Sequence, residues 1–128
     1  MFLYYAIFNF DDDGINVSFP DLDGAFTGGA DMHEALFLAK DLLAGWLINA
    51  QDDGESLPVP SAPSDFHIDQ NDLVVPIEVN LDIYRAKFDN QLIKKTLTIP
   101  KYLNIEAEAL GINFSQTLTE ALKDKLSV

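Results

Sequence analysis

Apolar side chains recur along this chain with a period near two, then 3.6, then two again. Residues 2–10 (Phe-Leu-Tyr-Tyr-Ala-Ile-Phe-Asn-Phe) are dense in aromatic and branched side chains on both faces, which predicts a central strand. Asp11-Asp12-Asp13-Gly14 carries hairpin chemistry, and Ile15, Val17 and Phe19 then alternate with Asn16 and Ser18 as a strand wet on one side. A third short strand is predicted over residues 25–27, before Gly28-Gly29. Asp31 suits an N-cap, with Glu34 at the capping-box position. From there Ala35, Leu38, Ala39, Leu42, Leu43, Trp46, Leu47 and Ala50 share one helical face, and Asp53-Gly54 ends the helix. Burying Leu42 or Trp46 against the sheet is worth about 1.5–3 kcal/mol or more each.

Pro58, Pro60 and Pro63 mark residues 57–65 as an extended connector. Leu73, Val75, Ile77, Val79 and Leu81 alternate as a fourth strand, which Pro76 assigns to an edge or a bulge. The pattern blurs over residues 83–88, and Asp89-Asn90-Gln91 reads as a linker. Residues 1–91 are thus expected to form one α+β domain, an antiparallel sheet packed on a helix.

The remaining segment, residues 92–128, has a different plan. Leu97 and Ile99 alternate with Lys94, Thr96 and Thr98, and Pro100 can open a helix. Leu103, Ala107 and Leu110 give a short apolar stripe up to Gly111. Asn113 then caps a last helix, with Gln116 at the box position and Leu118, Ala121, Leu122 and Leu126 expected to face inward. A lone strand can neither bury its apolar side nor satisfy its edges, so residues 93–99 are expected to pair with the same strand of a second chain. The predicted unit is a β-α-α homodimerisation module, held through residues 93–99 and the C-terminal helices; whether dimers pair further into tetramers stays open.

Composition adds an asymmetry. The chain has 128 residues, 48% of them hydrophobic, enough for one core and a small appendage. Its net charge of −13 is uneven: residues 1–91 hold 17 acidic against 3 basic side chains, residues 92–128 only 4 against 5. The first domain should repel nucleic acid and attract a basic partner. The second is nearly neutral, with Lys94-Lys95 as the chain's only adjacent basic pair. No apolar run approaches about 18 residues, Met1–Tyr5 lacks a basic leader region, and there is no cysteine. No membrane association, disulfide framework or thiol chemistry is expected, and a cytoplasmic location fits.

A two-stranded ribbon presenting Lys94, Thr96 and Thr98 would suit the major groove of double-stranded DNA. The amides of Asn113, Phe114 and Ser115 at the last helix start would suit a phosphate. The plainer readings are an exposed strand face and ordinary capping. Asp11-Asp12-Asp13 and Asp21-Leu22-Asp23 could hold Mg²⁺ for metal-dependent hydrolysis, yet both sit where turns call for such residues. His33 and His67 lack partners at ligand spacing and read as surface residues. No catalytic residue, metal site or cofactor is expected.

Five stretches in order resemble the HicB family of bacterial antitoxins. They are Tyr5-Ala6-Ile7-Phe8 with Val17–Gly24, Glu34-Ala35 and its helix, Leu57-Pro58-Val59-Pro60-Ser61, and Asn80-Leu81-Asp82-Ile83-Tyr84, followed by the tail. The resemblance implies a partial ribonuclease-H-like fold that caps a HicA-type ribonuclease toxin (an mRNA interferase), joined to a module that binds operator DNA and represses its own operon. Leu97-Thr98-Ile99-Pro100 and Gly111–Gln116 resemble the family's ribbon-helix-helix variant, with a first helix about one turn shorter than usual. On this basis Asp21, Asp23 and Glu34 are candidate toxin contacts, and the protein is expected to be no enzyme. The alternatives are a metal-dependent ribonuclease-H-like nuclease, or a protein-binding adaptor without a DNA role.

Overall fold

The computed structural model describes residues 1–89 and 92–128. They form two compact units, Met1–Gln91 and Leu92–Val128. The fold is α+β: one four-stranded antiparallel sheet and, among the described residues, four α-helices. Of the expected linker, Asn90 and Gln91 lie outside the described residues.

In the first unit, strands β1 (Phe2–Asp11), β2 (Gly14–Ser18), β3 (Phe26–Gly29) and β4 (Asp72–Val79) align in the order β3-β2-β1-β4. The aromatic-rich first strand is central, and Pro76 lies on an edge strand opposite Tyr5. An edge tolerates proline because a ladder bond on its free side is not required. Strand β3 starts one residue later than the 25–27 expectation and includes both glycines. Gly29 is there because of a close approach. A methyl at that position would lie 2.6 Å from the Ala35 backbone nitrogen, so the strand end could not pass the helix start.

Helix α1 (Met32–Asp52) covers one face of the sheet. The Asp31 carboxylate accepts the Glu34 N–H at 2.8 Å; Glu34 reaches back to the Ala30 N–H at 3.2 Å, one residue earlier than in the usual box. Ala35, Ala39, Leu43, Leu47 and Ala50 are buried as expected, joined by Ala44 and Ile48. Leu38, Leu42 and Trp46 are only half-buried. Leu43 and Leu47 meet Tyr4, Ala6, Phe8, Val17 and Ile77 in one core, which also takes in Phe19 and Leu22.

Residues 81–89 overturn the strand-like reading of Leu81 and fill the blurred stretch with a helix, α2 (Leu81–Asp89). The Asn80 carboxamide oxygen accepts the Asp82 N–H at 3.0 Å and starts the turn. Leu81 is buried and Tyr84 half-buried three residues on, one face of a short helix. Arg85 donates to Asp52 at 2.9 Å and to Gln51 at 3.0 Å, tying α2 to the end of α1. The proline-rich connector is pinned by the Tyr4 hydroxyl, which donates to the Pro58 carbonyl. A 3₁₀ turn over Pro63–Asp65 follows.

The second unit contains α3 (Lys101–Ala109) and α4 (Phe114–Leu126). Gly111, at φ +67°, closes α3: its N–H reaches the Glu108 carbonyl and the Ile112 N–H the Ala107 carbonyl, both at 3.0 Å. Residues 92–100 form no ladder within the single chain, since a strand is defined by its partner. Neither helix has a buried residue. Leu103, Leu110, Leu122 and Leu126, expected to face inward, are exposed because one copy of this unit has no interior for them. Among the described residues no helix is long and apolar enough to cross a membrane.

Two substitutions of opposite sign test the packing. Gly29→Ala should cost about 1–3 kcal/mol by forcing strand and helix apart. Gly45→Ala, where an added methyl meets nothing within 4 Å, should gain up to about 1 kcal/mol from helix propensity. Urea denaturation followed by circular dichroism reads both.

Candidate functional site

The two units carry separate sets of candidate residues. In the second, residues 92–100 run beside α4 and the two enclose an open groove of about 520 Å³. Lys95, Leu97 and Ile99 line it together with Phe114, Leu118 and Ala121. Lys94, Thr96 and Thr98, exposed like the rest of the segment, lie outside this lining. The structure also divides the expected DNA-binding residues. Phe114 and Ser115 border the groove, whereas Lys94, Thr96 and Thr98 do not. Asn113 caps α4, its carboxamide oxygen accepting the Gln116 N–H at 3.0 Å. The amides of the first turn beyond it have no carbonyl within the helix to bond.

In the first unit, the expected carboxylates turn out to be unequal. Both oxygens of Asp21 are engaged by Ser61, whose N–H donates at 2.8 Å and whose hydroxyl donates at 2.6 Å. Asp21 therefore holds the connector in place. Asp23 is exposed, and its backbone carbonyl accepts the Trp46 indole N–H at 3.0 Å. Glu34 is occupied at the start of α1. His33 and His67 are exposed. Among the described residues no three histidine or carboxylate side chains converge as a metal site.

A second polar constellation escaped sequence reasoning. Asn9 donates to Asp72 at 2.8 Å; Asn16 donates to Asp11 at 2.7 Å and reaches the Asn9 oxygen at 3.5 Å. The Asp69 N–H completes the row at Asp72, at 2.9 Å. The Asn16 amide, helped by the Asp13 N–H, holds the Asp11 carboxyl below the usual carboxylate range. The Asp69 N–H, then Asn9, do the same for Asp72. Asp72 is distant from the others in sequence and joins them only through strand register: Asn9 pairs with Asn16 on one side and Asp72 on the other.

A family model described as the HicB-like antitoxin of bacterial toxin–antitoxin systems matches residues 4–120. The chain belongs to the HicB-like antitoxin family. No curated protein matches it. A chain of the toxin–antitoxin complex from Streptococcus pneumoniae is 29% identical to this antitoxin, covering 97% of this chain and 98% of that one at a TM-score of 0.61. The antitoxin HicB of Burkholderia pseudomallei, 16% identical, covers 98% of this chain and 99% of that one at 0.57. A chain of the HicA3 and HicB3 toxin–antitoxin complex, 21% identical, covers 62% and 99% at 0.52. The latter two similarities establish the HicB-like fold.

The polar row of this HicB-like chain gives a pH prediction. Asn16→Ala should raise the Asp11 titration towards that of an ordinary aspartate, read by carboxyl NMR. Because the folded-state pKa is depressed, the interaction favours the fold above the ordinary aspartate pKa and is lost as pH falls through the depressed value.

Proposed function

We propose that this protein is a non-enzymatic antitoxin and autorepressor. Its acidic first unit binds and blocks a basic HicA-type ribonuclease toxin in the cytoplasm. Its second unit dimerises as a ribbon-helix-helix module and reads operator DNA. The observation that carries the DNA half is the groove between residues 92–100 and α4, in a unit whose helices bury nothing. A second copy would pair residues 93–99 across the two-fold axis and cover Leu97, Ile99, Phe114 and Leu122. The paired ribbon then turns Lys94, Thr96 and Thr98 together towards the major groove, with the α4 amides near Asn113, Phe114 and Ser115 on flanking phosphates.

The toxin half is supported by family membership and by charge. The first unit has 17 carboxylates and 3 cations, and a protein that binds RNA presents the opposite sign. Asp23 is an exposed candidate contact, while Asp21 and Glu34 add to the field from fixed positions. This unit is a partial ribonuclease-H-like fold without nuclease chemistry; Asp21, Asp31, Glu34, Asp11 and Asp72 are held in connector, cap and polar-row hydrogen bonds.

Sedimentation equilibrium should show a concentration-dependent dimer. In gel shifts with the DNA upstream of its own reading frame, affinity should fall steeply with salt. Lys94→Ala combined with Thr96→Ala should abolish that binding and leave toxin neutralisation in a growth assay unchanged. Wild-type operator affinity in the double variant would sink the ribbon assignment.

A further inference from the structure

Apolar surface alone does not choose its partner, because the hydrophobic effect has no direction. The groove of the second unit is walled by Leu97, Ile99, Phe114, Leu118 and Ala121, and none of these side chains dictates how a covering chain must lie. Asn104, from α3, borders the same groove and differs from them in kind. It also differs from the other polar side chains of the lining. Lys95, Ser115 and Thr117 are exposed, and the Thr117 hydroxyl donates to the Asn113 carbonyl at 2.9 Å. Among the described residues of this unit only Asn104, Ala107 and Leu118 are half-buried. A carboxamide is therefore better covered than Leu103, Leu110, Leu122 or Leu126. Nothing local accounts for it. Pro100 is the N-cap of α3, no side chain caps that helix, and asparagine is a poor helix former away from a cap. The Asn104 N–H bonds the Pro100 carbonyl at 3.2 Å, while its carboxamide has no hydrogen-bond partner among the described residues.

We propose that Asn104 selects how two copies of this chain pair across the groove, holding the module to one arrangement at some cost in affinity. The inference rests on the dimer reading above and adds what makes that pairing selective. Two features argue for a second copy as the occupant. Residues 92–100, one wall of the groove, form no ladder within the single chain. The unit's 4 acidic and 5 basic side chains leave too little net charge for copies to repel. When the second copy covers the groove, the carboxamide leaves water, and its N–H groups and oxygen then need partners. An arrangement that brings a polar group of the second copy to Asn104 satisfies it. A slipped ribbon, or an extra copy that sets Asn104 against leucine or phenylalanine, leaves it unsatisfied and is disfavoured. Leucine at this position would accept all of them. One buried asparagine between paired helices fixes register and chain number on the same principle.

The test compares the full-length chain with its Asn104→Leu variant by sedimentation velocity over a concentration series. The variant should associate about 10-fold more tightly. It should also populate species larger than any that the wild-type chain forms at the same concentration. Wild-type affinity with an unchanged distribution, or a weaker dimer, overturns the proposal and leaves the dimer reading standing. A tighter dimer with the wild-type distribution overturns it as well, since the asparagine would then weaken pairing without selecting. Should the variant precipitate, the wild-type chain decides by NMR. The carboxamide protons of Asn104 should shift, and exchange more slowly with solvent, between a sample diluted to monomer and one concentrated to dimer. Carboxamide signals that stay the same overturn the proposal. A wild-type chain that remains monomeric throughout would instead remove the dimer reading.

Discussion

A sheet has two apolar faces to cover, and this chain has one long helix with which to do it. Helix α1 brings Ala35, Ala39, Leu43, Leu47 and Ala50 onto the sheet, and the small residues among them set how closely the layers meet. The rest of the first unit hangs on that contact. Gly29 exists so that β3 can pass the start of α1. Arg85 joins α2 to the end of α1, and Trp46 holds the loop after β2. The second unit lacks such a layer, and its helices bury nothing. Exposed apolar side chains are the common condition of both units.

Charge is organised around the same asymmetry. Among the described residues no polar or charged side chain is buried, so the carboxylates of the first unit stay in water, where mutual repulsion is screened. Few act alone. Asp21 fastens the connector, Asp31 and Glu34 start the helix, and Asp11 and Asp72 organise two asparagines on the sheet. The acidic field of the first unit is spread over its surface, with Asp11 and Asp72 held at fixed positions in it.

Period and turn chemistry made most of the architecture legible. The aromatic run 2–10 predicted a central strand, Asp31 with Glu34 a helix start, and Pro76 an edge, because each follows from local sterics or hydrogen bonding. Helix α2 was not legible: nine residues with one buried leucine and a half-buried tyrosine leave too short a period to read. Leu42 and Trp46 were placed too deep for a related reason, since a helical wheel gives the face but not how deep each residue on it sits. The Asn9–Asn16–Asp72 row could not be read at all, because it exists only once three strands are in register. In the tail, the caps at Asn113 and Gly111 were written locally, while its leucines, which share the apolar stripes of α3 and α4, are exposed in the single chain.

Trp46 has a further consequence. It is the sole tryptophan of the sequence, and its indole N–H is anchored to the Asp23 carbonyl between β2 and β3. Tryptophan emission therefore arises from the first unit alone, with the second optically silent at those wavelengths. A single fluorescence trace can follow the acidic domain while circular dichroism follows both, so any gap between the two curves measures how independently the two units unfold.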